Sequence, residues 1–146
     1  MSMSDVDGIF ADLGRRLGMP GLKLANGSCQ LVFDQRHLVR LAVLPAQDAV
    51  VAGCAIGRQA PSAAGVRQLL RANHLRGGEG DCVFSLDADG RAYAQCAVSF
   101  AACRAGGLLP ALEALLNQVE AWEPRLAQGD APDGGRTPPP FMVNTV

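Results

Sequence analysis

The chain has 146 residues, of which 49% are hydrophobic and 18% charged, and its formal net charge is -1. That length and balance specify one globular domain burying roughly two thirds of its unfolded surface, and they exclude a disordered chain. There is no clustered basic block of the kind a nucleic-acid binder carries, and no apolar run long enough for a membrane span.

Residues 1–7 have neither the basic start nor the continuous apolar stretch of a signal peptide. The cysteines are Cys29, Cys54, Cys82, Cys96 and Cys103. They are odd in number, widely separated and without a C-x-x-C, so they read as reduced cytosolic thiols.

Residues 4–18 are expected to form an amphipathic helix. Ser4 or Asp5 caps it, and Val6, Ile9, Phe10, Leu13 and Leu17 form one face. Arg15 and Arg16 suit its C-terminal end, and Gly18 with Pro20 stops it. Three strand-like runs follow, at 29–34, 38–44 and 48–57. Their short connections, 34–37 and 45–48, suit an antiparallel meander. These strands are apolar on both faces more often than a half-solvated sheet requires. Either helices cover both faces, or one face receives something apolar from outside.

Residues 57–64 link the meander to a central helix in which Val66, Leu69 and Leu70 sit at helical spacing and Leu75 extends the apolar side. Arg76-Gly77-Gly78-Glu79-Gly80 ends that helix. The runs 82–86 and 91–100 flank Asp87-Ala88-Asp89-Gly90, whose aspartates and glycine suit a tight hairpin. The last helix spans about 108–126, with Leu108, Leu109, Leu112, Leu115, Leu116, Val119 and Trp122 as its stripe. Pro110 is tolerated in its first turn, and Pro124 is expected to end or kink it. Residues 128–146, rich in Gly and Pro, read as a mobile tail following a domain at 1–127. The order α-β-β-β-α-β-β-α, with no α/β alternation, argues an α+β fold: an antiparallel sheet carrying helices.

The chain offers no enzyme site. His37, placed in a turn, and His74, near a helix end, lack any surrounding motif for a nucleophilic dyad. Paired ligands at zinc spacing are absent, and the Asp87–Gly90 turn lacks the glutamate an EF-hand needs. The glycine run matches neither phosphate-binding pattern. No cofactor or metal is therefore expected, and a domain with generous apolar surface and no such constellation works by binding. An extended peptide added to a sheet edge, or an apolar segment in grooves beside the first helix, are the two modes that suit it.

Leu69-Leu70-Arg71-Ala72-Asn73-His74-Leu75, the glycine break, and Ser85-Leu86-Asp87-Ala88-Asp89-Gly90-Arg91, taken in this element order, resemble the class I type III secretion chaperones, the Tir-chaperone (CesT-like) family. The likeness covers about residues 5–126, and the stripe from Ala111 to Trp122 supports it. It implies a cytoplasmic bacterial homodimer that holds the N-terminal segment of a secreted effector extended, without nucleotide or membrane insertion, and presents it to the secretion ATPase. The effector surface it implies draws on Phe10, Leu13, Leu17, Leu31, Phe33, Leu41 and Val43. The implied dimer interface draws on Val66, Leu69, Leu70, Asn73, Cys82, Val83 and Phe84. The alternative is a regulatory or docking module of the same fold with no effector of its own. The pI of about 6.1 departs from the distinctly acidic pattern usual in that family, and the motif does not explain the five cysteines or the Pro-rich tail.

Overall fold

The computed structural model describes residues 3–78 and 80–128. Alternating burial along the strands explains the sheet. In β1 (Ser28–Phe33), β2 (His37–Leu44) and β3 (Ala49–Ala55), side chains of one parity are buried, and those of the other are mostly exposed or half-exposed. With β4 (Val83–Leu86) and β5 (Ala92–Ser99) they form one five-stranded antiparallel sheet in the order β1-β2-β3-β5-β4. The register places Leu31 opposite Val39, Leu41 opposite Ala52, and Ala52 opposite Cys96, all facing inward. On the other face stand Gln30, Val32, Leu38, Arg40, Gly53, Tyr93 and Gln95, exposed or half-exposed. Helices therefore cover one face, and the other stays open.

The helices behind the inner face are α1 (Met3–Arg16) and α4 (Leu108–Ala127), with the five-residue α3 (Phe100–Arg104) between sheet and α4. Val6, Ile9, Phe10 and Leu13 of α1 join Leu108, Leu112, Leu115, Val119 and Trp122 of α4 in one core with the inward strand residues. Each such fully buried side chain contributes on the order of 1.5–3 kcal/mol of transfer free energy. The remaining helix, α2 (Ala63–Ala72), packs beside β4.

Three boundaries differ from the sequence expectation. The fifth strand stops at Ser99, whose hydroxyl accepts from the Ala102 amide at 3.1 Å and so caps α3, a helix the alternation had concealed. Pro124 does not end the last helix. It lies on an exposed side, where the carbonyl that loses its amide partner meets water, and the helix runs on to Ala127. The central helix stops at Ala72, three residues before Leu75; its C-cap, Asn73, keeps helical backbone angles while its side chain reaches β4. The Asp87–Gly90 hairpin forms as expected: the Asp87 carboxylate accepts from the amides of Asp89 and Arg91 at 2.9 Å, and Gly90 takes a φ of +82°. The tail at 129–146 lies outside the described residues.

Candidate partner-binding surfaces

Both sheet edges are at the surface, and the chain treats them differently. At β4 the edge is closed by a side chain. Asn73 donates from Nδ2 to the Phe84 carbonyl at 2.7 Å, and its Oδ1 accepts the Phe84 amide, also at 2.7 Å. One carboxamide thus takes the place of the neighbouring strand. Two residues past the clamp the chain passes through Leu75 at φ +60°, a left-handed conformation that leucine adopts at a cost. Leu75 is 92% exposed there, and Leu70, one helical turn from Val66 on the outer side of α2, is 64% exposed.

At β1 the edge is open. Ser28 exchanges both backbone hydrogen bonds with Ala25, so its amide and carbonyl face away from β2. By the period-two alternation of a strand, those of Gln30 and Val32 face the same way. Beside Gln30 lies a groove of about 710 Å³, also lined by Met19, Leu22, Lys23 and Cys29. Val32, 64% exposed, and its cross-strand partner Leu38 add an apolar strip on the open sheet face.

These surfaces redistribute the residues singled out in the sequence. Phe10, Leu13, Leu31 and Leu41 are enclosed in the core, where α1 and the sheet use them to pack on each other, so in this chain alone they present nothing to a partner. Leu17, Phe33 and Val43 are half-buried at its margin. Of the residues assigned to self-association, Leu69, Cys82 and Phe84 are buried, and Phe84 packs on Trp122 with ring centroids 5.2 Å apart. Val66 and Val83 are half-buried, Leu70 is exposed, and Asn73 is committed to the clamp. What sequence reasoning missed is Val32 and Leu38, whose exposure follows from register and was invisible in two apolar letters.

Burial pushes the Cys54 and Cys82 thiols up to about 11, with nearby Glu123 adding to the effect on Cys54. Burial also raises Cys29 and Cys96. Cys29, Cys54, Cys82 and Cys96 are free, and at neutral pH they stay protonated, the unreactive form. His37 is not in a turn as expected but opens β2, buried, 3.5 Å from a Glu120 carboxylate oxygen. Among the described residues no three His, Cys, Asp or Glu side chains are placed to hold a metal, and no helix is long and apolar enough to cross a membrane.

Solved structures share this architecture. A chain of the ExsC–ExsE complex superposes with a TM-score of 0.71 at 24% identity, covering 84% of this chain and 94% of its own. A chain of the HopA1–SchA chaperone–effector complex gives 0.70 at 18%, covering 84% and 98%. In the structure of the Yersinia pestis type III secretion chaperone SycH with a stable fragment of YscM2, the match is 0.68 at 17%, covering 80% and 98%. No curated protein matches the sequence. The sequence profile of the Tir chaperone protein (CesT) family matches residues 8–123, most of the described chain. The chain belongs to the Tir chaperone protein (CesT) family.

Proposed function

We propose that this chain is a cytoplasmic type III secretion chaperone that holds the N-terminal segment of a secreted effector in extended form. The observation that carries this reading is the open edge of β1, where Gln30 lines the groove beside Met19 and Leu22 and Val32 stands exposed further along the strand. An extended segment added there satisfies its own backbone on the strand and buries its apolar side chains in the groove and on the Val32–Leu38 strip. Buried apolar area contributes about 25 cal/mol per Å² before ordering costs, so a segment with no core of its own gains most. Family membership supports the same reading, as do the folds of SchA and SycH, which their structures show in complex with protein partners.

Phe33, Val43 and Leu17, at the core margin, complete the client surface. Phe10, Leu13, Leu31 and Leu41 support it from beneath. Self-association as a two-fold dimer uses the exposed Leu70 and Leu75 with the half-buried Val66 and Val83, while Leu69, Asn73, Cys82 and Phe84 hold α2 and β4 in place. Presentation of the loaded dimer to the secretion ATPase follows from the same reading.

Co-expression with secreted proteins from the same genome, followed by size-exclusion chromatography with light scattering, tests the proposal. It predicts a complex of two copies of this chain with one partner, in which the partner's N-terminal segment resists protease. A chain that captures no secreted partner contradicts it.

A further inference from the structure

Where β2 begins and β3 ends, a cleft of about 450 Å³ opens, and four arginines border it: Arg36, Arg40, Arg58 and Arg91. Its lining holds one carboxylate, Glu123, and that is already engaged by Arg36, whose Nη2 lies 2.9 and 2.8 Å from the two oxygens. Arg91 is fixed by donating from Nε and Nη2 to the Gly57 carbonyl at 3.1 and 2.7 Å. Among the described residues Arg40, Arg58 and Arg91 make no ion pair. The cleft lining thus carries four arginines against one carboxylate, on a chain whose net charge is -1.

Its shape suits a polypeptide. Gly53, directly opposite Arg40, and Ala55, directly opposite Tyr93, are the small residues at its floor. A Cβ at Gly53 would meet nothing closer than 3.8 Å, so a backbone has room to lie against the strand. Tyr93 is the one aromatic ring in the lining, whereas single-stranded nucleic acid is held on several stacking rings. His37 also lines the cleft. It is 4% exposed, and its Nε2, without a hydrogen bond, lies 3.5 Å from a Glu120 oxygen and 3.7 Å from a Glu123 oxygen.

We propose that this cleft binds a carboxylate-rich stretch of the extended client. Arg40 and Arg58 donate charge-assisted hydrogen bonds to its Asp or Glu side chains, and the fixed Arg91 supplies a third positive charge. The assignment rests on the chaperone reading and adds to it a chemical preference: a client segment with apolar residues for the β1 groove and acidic ones for the sheet end. Charge complementarity of this kind sets choice of partner and rate of association more than raw affinity.

Fluorescence anisotropy on the full chain tests it, with a labelled peptide of alternating Ala and Glu as the probe. The peptide is expected to bind at low salt and to weaken as salt rises, while an Ala–Lys peptide does not bind. The double substitution Arg40→Glu with Arg58→Glu is expected to weaken binding roughly tenfold with the melting temperature unchanged. Arg67→Glu with Arg71→Glu makes the same charge change on α2, away from the cleft, and is expected to leave binding as it was. The proposal is overturned if the acidic peptide does not bind or if the α2 pair weakens it as much as the cleft pair. It is equally overturned if inorganic phosphate displaces the peptide at matched concentration, or if an oligothymidylate binds more tightly. A chain that still captures a secreted partner but ignores the acidic peptide refutes this inference alone. Failure to capture any partner refutes the chaperone reading itself.

Discussion

The Asn73 clamp makes a quantitative prediction. Asn73→Ala removes both hydrogen bonds to Phe84 and leaves a backbone amide and carbonyl without partners at a residue that is 5% exposed. Two net hydrogen bonds are worth about 2 kcal/mol together, rising toward ~4 kcal/mol if water cannot reach the vacated groups. For a domain of this size each kcal/mol lowers the melting temperature by roughly 3–5 °C, so the variant should melt about 6–10 °C lower. The loss should be local as well as global, since without its clamp the β4 edge opens more often. The Phe84 amide should therefore exchange with deuterium faster, by a larger factor than amides in β2 and β3. Asn73→Asp is a useful companion. It keeps an acceptor for the Phe84 amide but sets a carboxylate oxygen against the Phe84 carbonyl, so it should be no more stable than the alanine variant at neutral pH. Calorimetry and hydrogen exchange by NMR are the assays. A melting point within about 1 °C of the parent, together with unchanged protection at Phe84, would refute the clamp as the device holding α2 to the sheet.

Four further outcomes follow from the packing. Phe10→Ala should cost about 3–5 kcal/mol, because this ring lies in the core; Val32→Asp should alter stability by less than about 1 kcal/mol yet weaken capture of a client, and thermal melts paired with pull-downs separate the two. Above pH ~8.5 the chain should lose stability progressively. The Cys54 and Cys82 thiols are raised to about 11 in the fold, so the unfolded chain releases their protons first; stability present below the ordinary thiol range is lost as pH rises toward 11, by on the order of 2 kcal/mol per thiol, and melting curves taken between pH 7 and 11 check this. Leu70→Asp with Leu75→Asp should halve the mass seen by light scattering while leaving the circular dichroism spectrum intact, and a dimer that persists would move the self-association surface away from α2.

The element order was legible because each long element has a strong period. The α1 and α4 stripes repeat at helical spacing, and the Asp87–Gly90 turn announces itself chemically. The boundaries that failed were decided by single side chains acting outside the period. Ser99 ends one strand by capping a helix, and Asn73, the C-cap of another helix, bonds a strand eleven residues on. The binding surface was less legible for a different reason. A periodic apolar face shows that a side chain will be covered and is silent on what covers it; Phe10, Leu13, Leu31 and Leu41, part of the client surface the family resemblance implies, are covered by this chain's own elements. Val32 and Leu38 are among the exposed apolar side chains, and only the register sets them on the open face. The cationic cleft was beyond reach for the same kind of reason. Arg36, Arg40, Arg58 and Arg91 are spread through the sequence among neutral residues, and only the meeting of strand ends collects them.

The central claim is that a client adds to the open edge of β1, and hydrogen exchange at that edge tests it most directly. With a secreted partner bound, the amides of Gln30 and Val32 should gain protection while those of β4 keep theirs, because Asn73 already closes the β4 edge. Unchanged exchange at Gln30 and Val32 in a stable complex would contradict the account and place the client elsewhere on the molecule.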